Sequence, residues 1–391
     1  MAGALQARRY PASRTKLALR LLDPRCGRAD AAPLLERLAR DGGLACLLRS
    51  KPHHRIGPLL AERIRRLGVD TDVPELRPAA KLLQHISGAC RLRNQLLRSQ
   101  LGRAVDLLAA RGIRTCLIKG AVSLADEPPA GCLSHAVRMM EDIDLVVAPQ
   151  DGDAALALMR EQGWLCTSGT EVVPFDVDSP AFIDMHVWSP RNPATGLLDL
   201  ADFFDRAAPA TVGGREVTAP GPHQIVQLRL VHNVIRQHLF IDFPLMDLCE
   251  LSAIISAHHD EIDWAAIRKV GLERGVSRVF YAVLMRLRDE LGAPVPEGAI
   301  PPMERKAARR TLRTIEGLAA VPEGLYCAAS RYALISSTPG RFVDRVNRAC
   351  IELFEGPCAG LSSVQLPKAL ALSARMLALQ SAVYCRTLVR G

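Results

Sequence analysis

The chain has 391 residues, of which 49% are hydrophobic and 23% are charged, and its formal net charge is +9. This length suffices for two or three hydrophobic cores, because a single core rarely grows beyond roughly 250–300 residues. The composition is that of an ordinary soluble protein. No segment reaches the roughly 18 consecutive apolar residues of a membrane span, which excludes a membrane-embedded class.

The number of cysteines and the net charge further limit the class of protein. The eleven cysteines are odd in number and form no Cys-x-x-Cys pair, which argues against a disulfide framework and against a zinc ribbon. We therefore expect a reducing cytoplasm as the location. The positive charge comes almost wholly from arginine and suits polyphosphate or nucleotide ligands. Aromatic residues make up only 4%, so platforms for stacking single-stranded nucleic acid are scarce.

The first part of the chain, from residue 15 to about residue 110, has the apolar spacing of α-helices. The clearest example is RNQLLRSQLGRAVDLLAARG (93–112). Apolar residues recur there on one face at spacings of four, four and three: Leu97, Leu101, Val105 and Leu108. Gly112 follows as a C-cap.

The hydrophobic period changes after this helix. IRTCLIKG (113–120) predicts a short buried strand that ends in a glycine turn, and DIDLVVA (142–148) predicts a second strand. DGDAALALMREQG (151–163) is typical of a capped helix. The segments WLCTSG, EVVPFDV and FIDMHVW then read as strands up to Pro190. Residues 113–190 therefore predict a small α/β unit inside a helical protein.

Beyond residue 221 the spacing is helical again, and the Pro-rich AIPPMERK (299–306) marks a hinge or linker. The fold class is therefore α+β, with the α/β core embedded between helical regions. We predict an N-terminal helical region, the core, a helical domain packed on it and a C-terminal helical region. Their predicted bounds are 1–95, 96–220, 221–298 and 299–391.

Asp142 and Asp144 stand two residues apart on the second predicted strand, so their carboxylates project from the same face. Two carboxylates this close repel each other, and a divalent cation is the usual solution. Hard oxygen ligands suit Mg²⁺, which keeps other positions for water and substrate phosphates. Asp184 ends a further predicted strand, and three acids on neighbouring strands can hold two metal ions.

Lys119 and Gly120 fit the same interpretation. A glycine after a strand lets the backbone approach a ligand closely, and free N–H groups at the start of the next helix attract phosphate. Lys119 would add a positive charge for the β- or γ-phosphate of a nucleotide. His186 shares a strand face with Asp184 and would support that acid or contact an acceptor.

Each of these patterns also has a simpler interpretation. Asp-x-Asp at a strand end is by itself more often surface charge than a metal site, and a lone Lys-Gly is mostly a turn. The triplet Asp184-Met185-His186 also fits half of a transition-metal site or a core histidine. Arg138 either contacts a phosphate or neutralises the acids. The order and spacing of the segments favour the phosphate and metal interpretation.

The arrangement resembles a bacterial group of uncharacterised nucleotidyltransferases in the DNA polymerase beta-like superfamily. The resemblance lies in LIKG (117–120), RMMEDIDLVV (138–147) and DMHVW (184–188). It extends to LVHNVIRQHLFIDFPLMDL (230–248), where this group typically has a histidine and then an aspartate in apolar helices. His232 and Asp247 take those places here.

The resemblance implies a mixed-sheet nucleotidyltransferase-like core with Asp142, Asp144 and Asp184 as metal ligands and catalytic residues. It implies Lys119, Gly120 and Arg138 as the groups that bind the nucleotide phosphates. It assigns His186, His232 and Asp247 to supporting the acids or contacting the acceptor. Two departures concern the choice of nucleotide. Ala121 stands where better-known members have serine, and the gap 121–141 is about twice as long as theirs.

The function implied is transfer of a nucleotidyl group from an NTP such as ATP to an unidentified small-molecule, peptide or protein acceptor. Two Mg²⁺ ions, or alternatively Mn²⁺, would assist it. Nucleic acid is a less favoured acceptor, and a membrane is not expected as a partner. One alternative is a catalytically silent protein that binds a nucleotide or a partner with the same fold. Another is a metal-dependent hydrolase that uses Asp184, His186 and His232.

Overall fold

The structure is a computed structural model of the chain. It describes residues 12–48, 54–140, 142–168, 171–173, 182–187, 204, 206–231, 245–273 and 277–300. Almost all of the predicted C-terminal region lies outside these residues, as does His232. Among the described helices, none combines the length with the apolar composition needed to cross a membrane.

The N-terminal part of the chain is helical, as predicted. Its α-helices are α1 (Ala12–Leu22), α2 (Arg28–Ala39), α3 (Gly43–Leu48), α4 (Gly57–Arg66) and α5 (Arg77–Ala109). The apolar face predicted for α5 is confirmed, since all four of its residues are buried: Leu97, Leu101, Val105 and Leu108. Gly112 ends the helix with a φ of 70°, which a glycine adopts without steric cost.

The described strands form one mixed sheet, which confirms the predicted fold class. The strands are β1 (Thr115–Leu117), β2 (Asp142–Val147), β3 (Leu165–Ser168), β4 (Glu171–Val173), β5 (Phe182–Val187), β6 (Ala208–Val212) and β7 (Arg215–Ala219). Their order across the sheet is β3-β4-β5-β2-β1-β7-β6. β2 pairs with β5 and β1 with β7 in parallel, and the other pairs are antiparallel.

The β6–β7 hairpin extends the sheet beyond the predicted limit near residue 190. Gly213 and Gly214 form its two-residue turn, with φ of 59° and 77°. Two successive positive φ values match the right-handed twist of the flanking strands. The parallel pairing of β7 with β1 then places this hairpin on the side of β1 opposite to β2.

Helices also follow the sheet in the described residues beyond 221, as the apolar spacing predicted. After α6 (Gly152–Glu161), the α-helices are α7 (Pro222–Val231), α8 (Leu245–Ala257), α9 (Trp264–Glu273) and α10 (Ser277–Leu291). Helix α5 packs on β2, β6 and β7, and α7 packs on α8 and on the short 3-10 helix Lys119–Leu124 that follows β1. Helices α7 and α8 are thereby brought to the end of β1. The domain bounds given above remain predictions.

Candidate active site

The site begins where β1 ends. Residue Lys119 has a φ of 49°, and among the described residues it is the one non-glycine residue with a positive φ. This left-handed conformation is costly for a residue with a Cβ and is found most often at functional positions. The amide of Ile118 donates to the carbonyl of Asp144 (3.2 Å), so the chain enters the turn beside the middle of β2.

Lys119 and Asp144 form an ion pair. The Nζ atom of Lys119 lies 2.5 Å from Oδ1 of Asp144, and the two side chains are only 10% and 4% exposed. Asp142, two residues earlier on β2, is partly exposed. The structure thus joins a lysine predicted to bind phosphate to an acid predicted to bind metal.

The third predicted acid lies on the neighbouring strand. In the parallel register of β2 and β5, Asp144 is opposite Asp184 and Val146 is opposite His186. Paired positions on adjacent strands lie about 5 Å apart, so position 184 is level with position 144. The side chains of Asp184 and His186 lie outside the described part of the structure.

The acids of β2 have the donor chemistry that a hard divalent cation requires. Asp142 and Asp144 offer carboxylate oxygens from alternate positions of one strand, and a cation, the ammonium of Lys119, contacts one of them. Within the described residues, no group of three His, Cys, Asp or Glu side chains is arranged to hold a metal. A divalent cation held here would need a further donor, and position 184 is level with Asp144 in the register.

Gly120 leaves space for a guanidinium group. A Cβ built on this residue would lie 2.6 Å from Nη1 of Arg138 and 3.2 Å from Sδ of Met140. The sequence suggested that the glycine admits a ligand. The structure gives an additional reason, since a larger residue would displace Arg138.

Arg138 belongs to a buried group of four charged side chains, which we call the charge cluster: Arg138, Arg229, Asp247 and Glu250. Nε of Arg138 lies 3.0 Å from Oε2 of Glu250, and its Nη2 lies 3.6 Å from Oδ1 of Asp247. Arg229 of α7 donates from Nη1 to Asp247 (2.8 Å) and from Nη2 to Glu250 (2.6 Å). None of the four side chains is more than 8% exposed.

Burial of four charges is costly unless each one is paired. Burial alone would lower the pKa of Arg138, but the charges of Glu250, Asp247 and Asp144 outweigh it and raise that pKa. Arg138 therefore stays protonated. It couples the acids of α8 to the Gly120 turn and, through space, to Asp144.

The sequence indicated part of this cluster. It singled out Arg138 and Asp247 but missed Arg229 and Glu250. The sequence could have indicated Glu250 by its spacing. It follows Asp247 by three residues in an apolar helix, which puts both acids on one face. Arg229 carries no such local signal.

The long segment 121–141 is held to the body of the protein at its C-terminal end. The side-chain amide of Asn94 donates to the carbonyls of His135 (2.6 Å) and Arg138 (2.7 Å). Nε of Arg93 donates to the carbonyl of Met140 (2.8 Å). Helix α5 thereby fixes the backbone that carries Arg138 into the site.

The N-terminal end of this segment is held to the β6–β7 turn. The carboxylate of Asp126 accepts the amides of Gly213 (2.7 Å) and Gly214 (3.0 Å) and pairs with Arg98. The two backbone amides, together with the charge of Arg98, hold the pKa of Asp126 well below its usual range. Gly131 lies against α8, where a Cβ would be 2.5 Å from the carbonyl oxygen of Ala253.

A mixed sheet with alternate aspartates on a central strand, beside a Lys-Gly turn, is the arrangement expected of the nucleotidyltransferase class. Residues 43–292 match the family described as uncharacterised nucleotidyltransferase, and the chain belongs to this family. Comparisons with curated proteins and with solved structures gave no match. Membership of the family supports a transferase whose general activity is nucleotidyl transfer.

Proposed function

We propose that the protein is a Mg²⁺-dependent transferase that moves a nucleotidyl group from an NTP, such as ATP, to a small-molecule, peptide or protein acceptor. The observation that carries this proposal is the position of Asp142 and Asp144 on β2 beside Lys119, which follows β1. The register that places Asp184 opposite Asp144 also supports it. We expect this activity in the cytoplasm.

In this proposal Asp142, Asp144 and Asp184 hold two Mg²⁺ ions, or alternatively Mn²⁺. When bound, the metal would neutralise the phosphates and promote ionisation of the acceptor hydroxyl. The acceptor oxygen attacks the α-phosphorus, the bond to the bridging oxygen of the β-phosphate breaks, and pyrophosphate leaves. Asp184 takes the acceptor proton or serves as a metal ligand.

The remaining residues bind and orient the nucleotide. The ammonium of Lys119 supplies a positive charge to the phosphates at the Gly120 turn. Arg138 lies behind this turn and contributes its field from a buried position. Asp247 acts through Arg138 and Arg229, which it binds directly. His186 and His232 are proposed to support the acids or contact the acceptor.

A second candidate function is nucleotide binding without turnover. The Lys119–Asp144 ion pair favours it, because an acid whose oxygen is bonded to an ammonium has less charge to offer a metal. The two candidate functions differ in whether the α-phosphorus of the NTP is transferred to an acceptor.

Label transfer distinguishes them. The protein is incubated with Mg²⁺ and each α-³²P-labelled NTP, either alone or with pools of small molecules, peptides and proteins. We expect the label to appear in an acceptor with wild type and with Asp153→Asn, an exposed acid at the start of α6. We expect none with Asp142→Asn/Asp144→Asn. Transfer that survives this double substitution would refute the assignment of the site.

A further inference from the structure

The ammonium of Lys119 contacts an oxygen that the proposed metal site would use. Its Nζ lies 2.5 Å from Oδ1 of Asp144, which is the nearly buried acid of the proposed metal pair. A lysine ammonium is a strongly hydrated point charge, so it is retained at a buried site only by a strong partner. An ammonium and a metal ion compete for this oxygen, because like charges repel in a site with little water.

The backbone at Lys119 has a conformation that is costly for a residue with a side chain. A glycine would adopt the φ of 49° freely, whereas a residue with a Cβ meets steric repulsion there. The chain nevertheless places a lysine at this position. Such strain persists where the surrounding structure or the function requires the side chain.

The charges around Lys119 indicate its effect on a cation. The charge cluster contains two arginines and two acids, so it is neutral as a group. Asp142 and Asp144 together carry two negative charges, which equal the charge of one divalent ion. The positive charge of Lys119 lies against Asp144 and thereby weakens the attraction of the pair for a free metal ion.

We propose that Lys119 competes with the metal ion for Asp144 and transfers to the phosphates when an NTP binds. This inference rests on the proposed function, in which the same ammonium contacts the nucleotide. Metal and nucleotide then bind cooperatively: the phosphates draw Lys119 away and leave Asp144 for the metal. Couplings of this kind are typically roughly 5- to 150-fold in affinity.

Mn²⁺ binding to the full chain tests the proposal. Free Mn²⁺ is measured by its electron paramagnetic resonance signal, with and without an α,β-methylene NTP that cannot release pyrophosphate. We expect Lys119→Met to bind Mn²⁺ at least about tenfold more tightly than wild type without nucleotide. We expect the analogue to tighten Mn²⁺ binding by a larger factor in wild type and in Lys81→Met, an exposed lysine of α5, than in Lys119→Met.

Two further variants make the outcome decisive. Lys119→Gln keeps a hydrogen-bond donor near Asp144 without the charge and should behave like Lys119→Met, which covers the case that Lys119→Met unfolds the protein. Unchanged Mn²⁺ affinity in both variants, with binding still lost in Asp142→Asn/Asp144→Asn, would overturn the competition and leave the proposed function intact. Mn²⁺ binding that is insensitive to the two aspartates would overturn both.

Discussion

The guanidinium of Arg138 fills the space that a side chain on residue 120 would occupy, since a Cβ there would lie 2.6 Å from its Nη1. Glu250 and Asp247 bind the same guanidinium from helix α8. The turn after β1 is therefore shaped by two acids of a distant helix. This contact links the site on β2 to the helical half of the protein.

The first prediction concerns Gly120→Ala. The added methyl group must displace the buried guanidinium of Arg138, and overpacking of this kind costs about 1–3 kcal/mol. Urea denaturation would measure the loss of unfolding free energy, and binding of an NTP analogue should weaken with it.

Gly88→Ala is the matched control. Gly88 lies inside α5 with nothing within 4 Å of the position that a Cβ would take, so this change should stabilise the protein by about 0.5–1 kcal/mol. A Gly120→Ala variant as stable as wild type would show that Arg138 does not depend on this space.

The second prediction concerns the charge cluster. Arg229→Met leaves Asp247 and Glu250 with one buried arginine instead of two, and loss of one partner of a buried ion pair costs about 3–5 kcal/mol. Adding Asp247→Asn removes the excess negative charge, so we expect the double variant to regain part of this loss. The measurement is a double-mutant cycle by chemical denaturation.

An exposed arginine serves as the control for the charge cluster. Arg111 pairs with Glu161 at 3.5 Å with both side chains more than half exposed, so Arg111→Met should change stability by less than about 1 kcal/mol. Equal effects of Arg229→Met and Arg111→Met would contradict the role of burial in the cluster.

The third prediction concerns the attachment of segment 121–141. The pKa of Asp126 is lowered in the folded state, so its stabilising effect is present above the unfolded pKa near 3.8 and is lost as the pH falls through the lowered pKa. Asp126→Asn imitates protonation at neutral pH. We expect the amides of Gly213 and Gly214 to exchange hydrogen at least about tenfold faster, which corresponds to roughly 1.4 kcal/mol.

Hydrogen exchange followed by mass spectrometry gives this measurement, with Asp153→Asn as the control. Unchanged exchange at the β6–β7 turn in Asp126→Asn would mean that the carboxylate does not hold the segment to the hairpin.

The fourth prediction concerns the cysteines. Burial raises the pKa of Cys116 and Cys249 to about 12, and burial together with the charge of Glu250 does the same for Cys132. At pH 8 the thiolate fraction is then roughly 1000-fold smaller than at a pKa of 9. Iodoacetamide should label these thiols much more slowly in the folded protein than in denaturant. Rapid labelling of the folded protein would contradict the raised pKa of these thiols.

The elements that the sequence predicted correctly are those with a strong local pattern. The apolar face of α5, the apolar run of β2 and the glycine after β1 can each be read within about 20 residues. The Lys-Gly turn and the Asp-x-Asp strand could be assigned to one site because their family resemblance gives their relative order.

The β6–β7 hairpin was missed because its strands are mostly exposed and lack a clear apolar alternation. Its Gly213-Gly214 turn was the available signal. The charge cluster was predicted only in part, for a different reason. Arg138 and Glu250 are 112 residues apart in the chain, and a single sequence does not show which distant charges pair. The same holds for the ion pair between Lys119 and Asp144, each of which was predicted to bind a ligand.

Nucleotidyl transfer at Asp142 and Asp144 is tested most directly by measuring both products of the reaction, the labelled acceptor and the pyrophosphate. With an acceptor found in the label screen, the α-³²P label transferred and the pyrophosphate released are quantified in the same reaction, with Mg²⁺ and with EDTA. We expect equal amounts of the two products, both dependent on Mg²⁺ and both lost in Asp144→Asn. Transfer of the γ-phosphate, or equal product formation by Asp144→Asn, would contradict it.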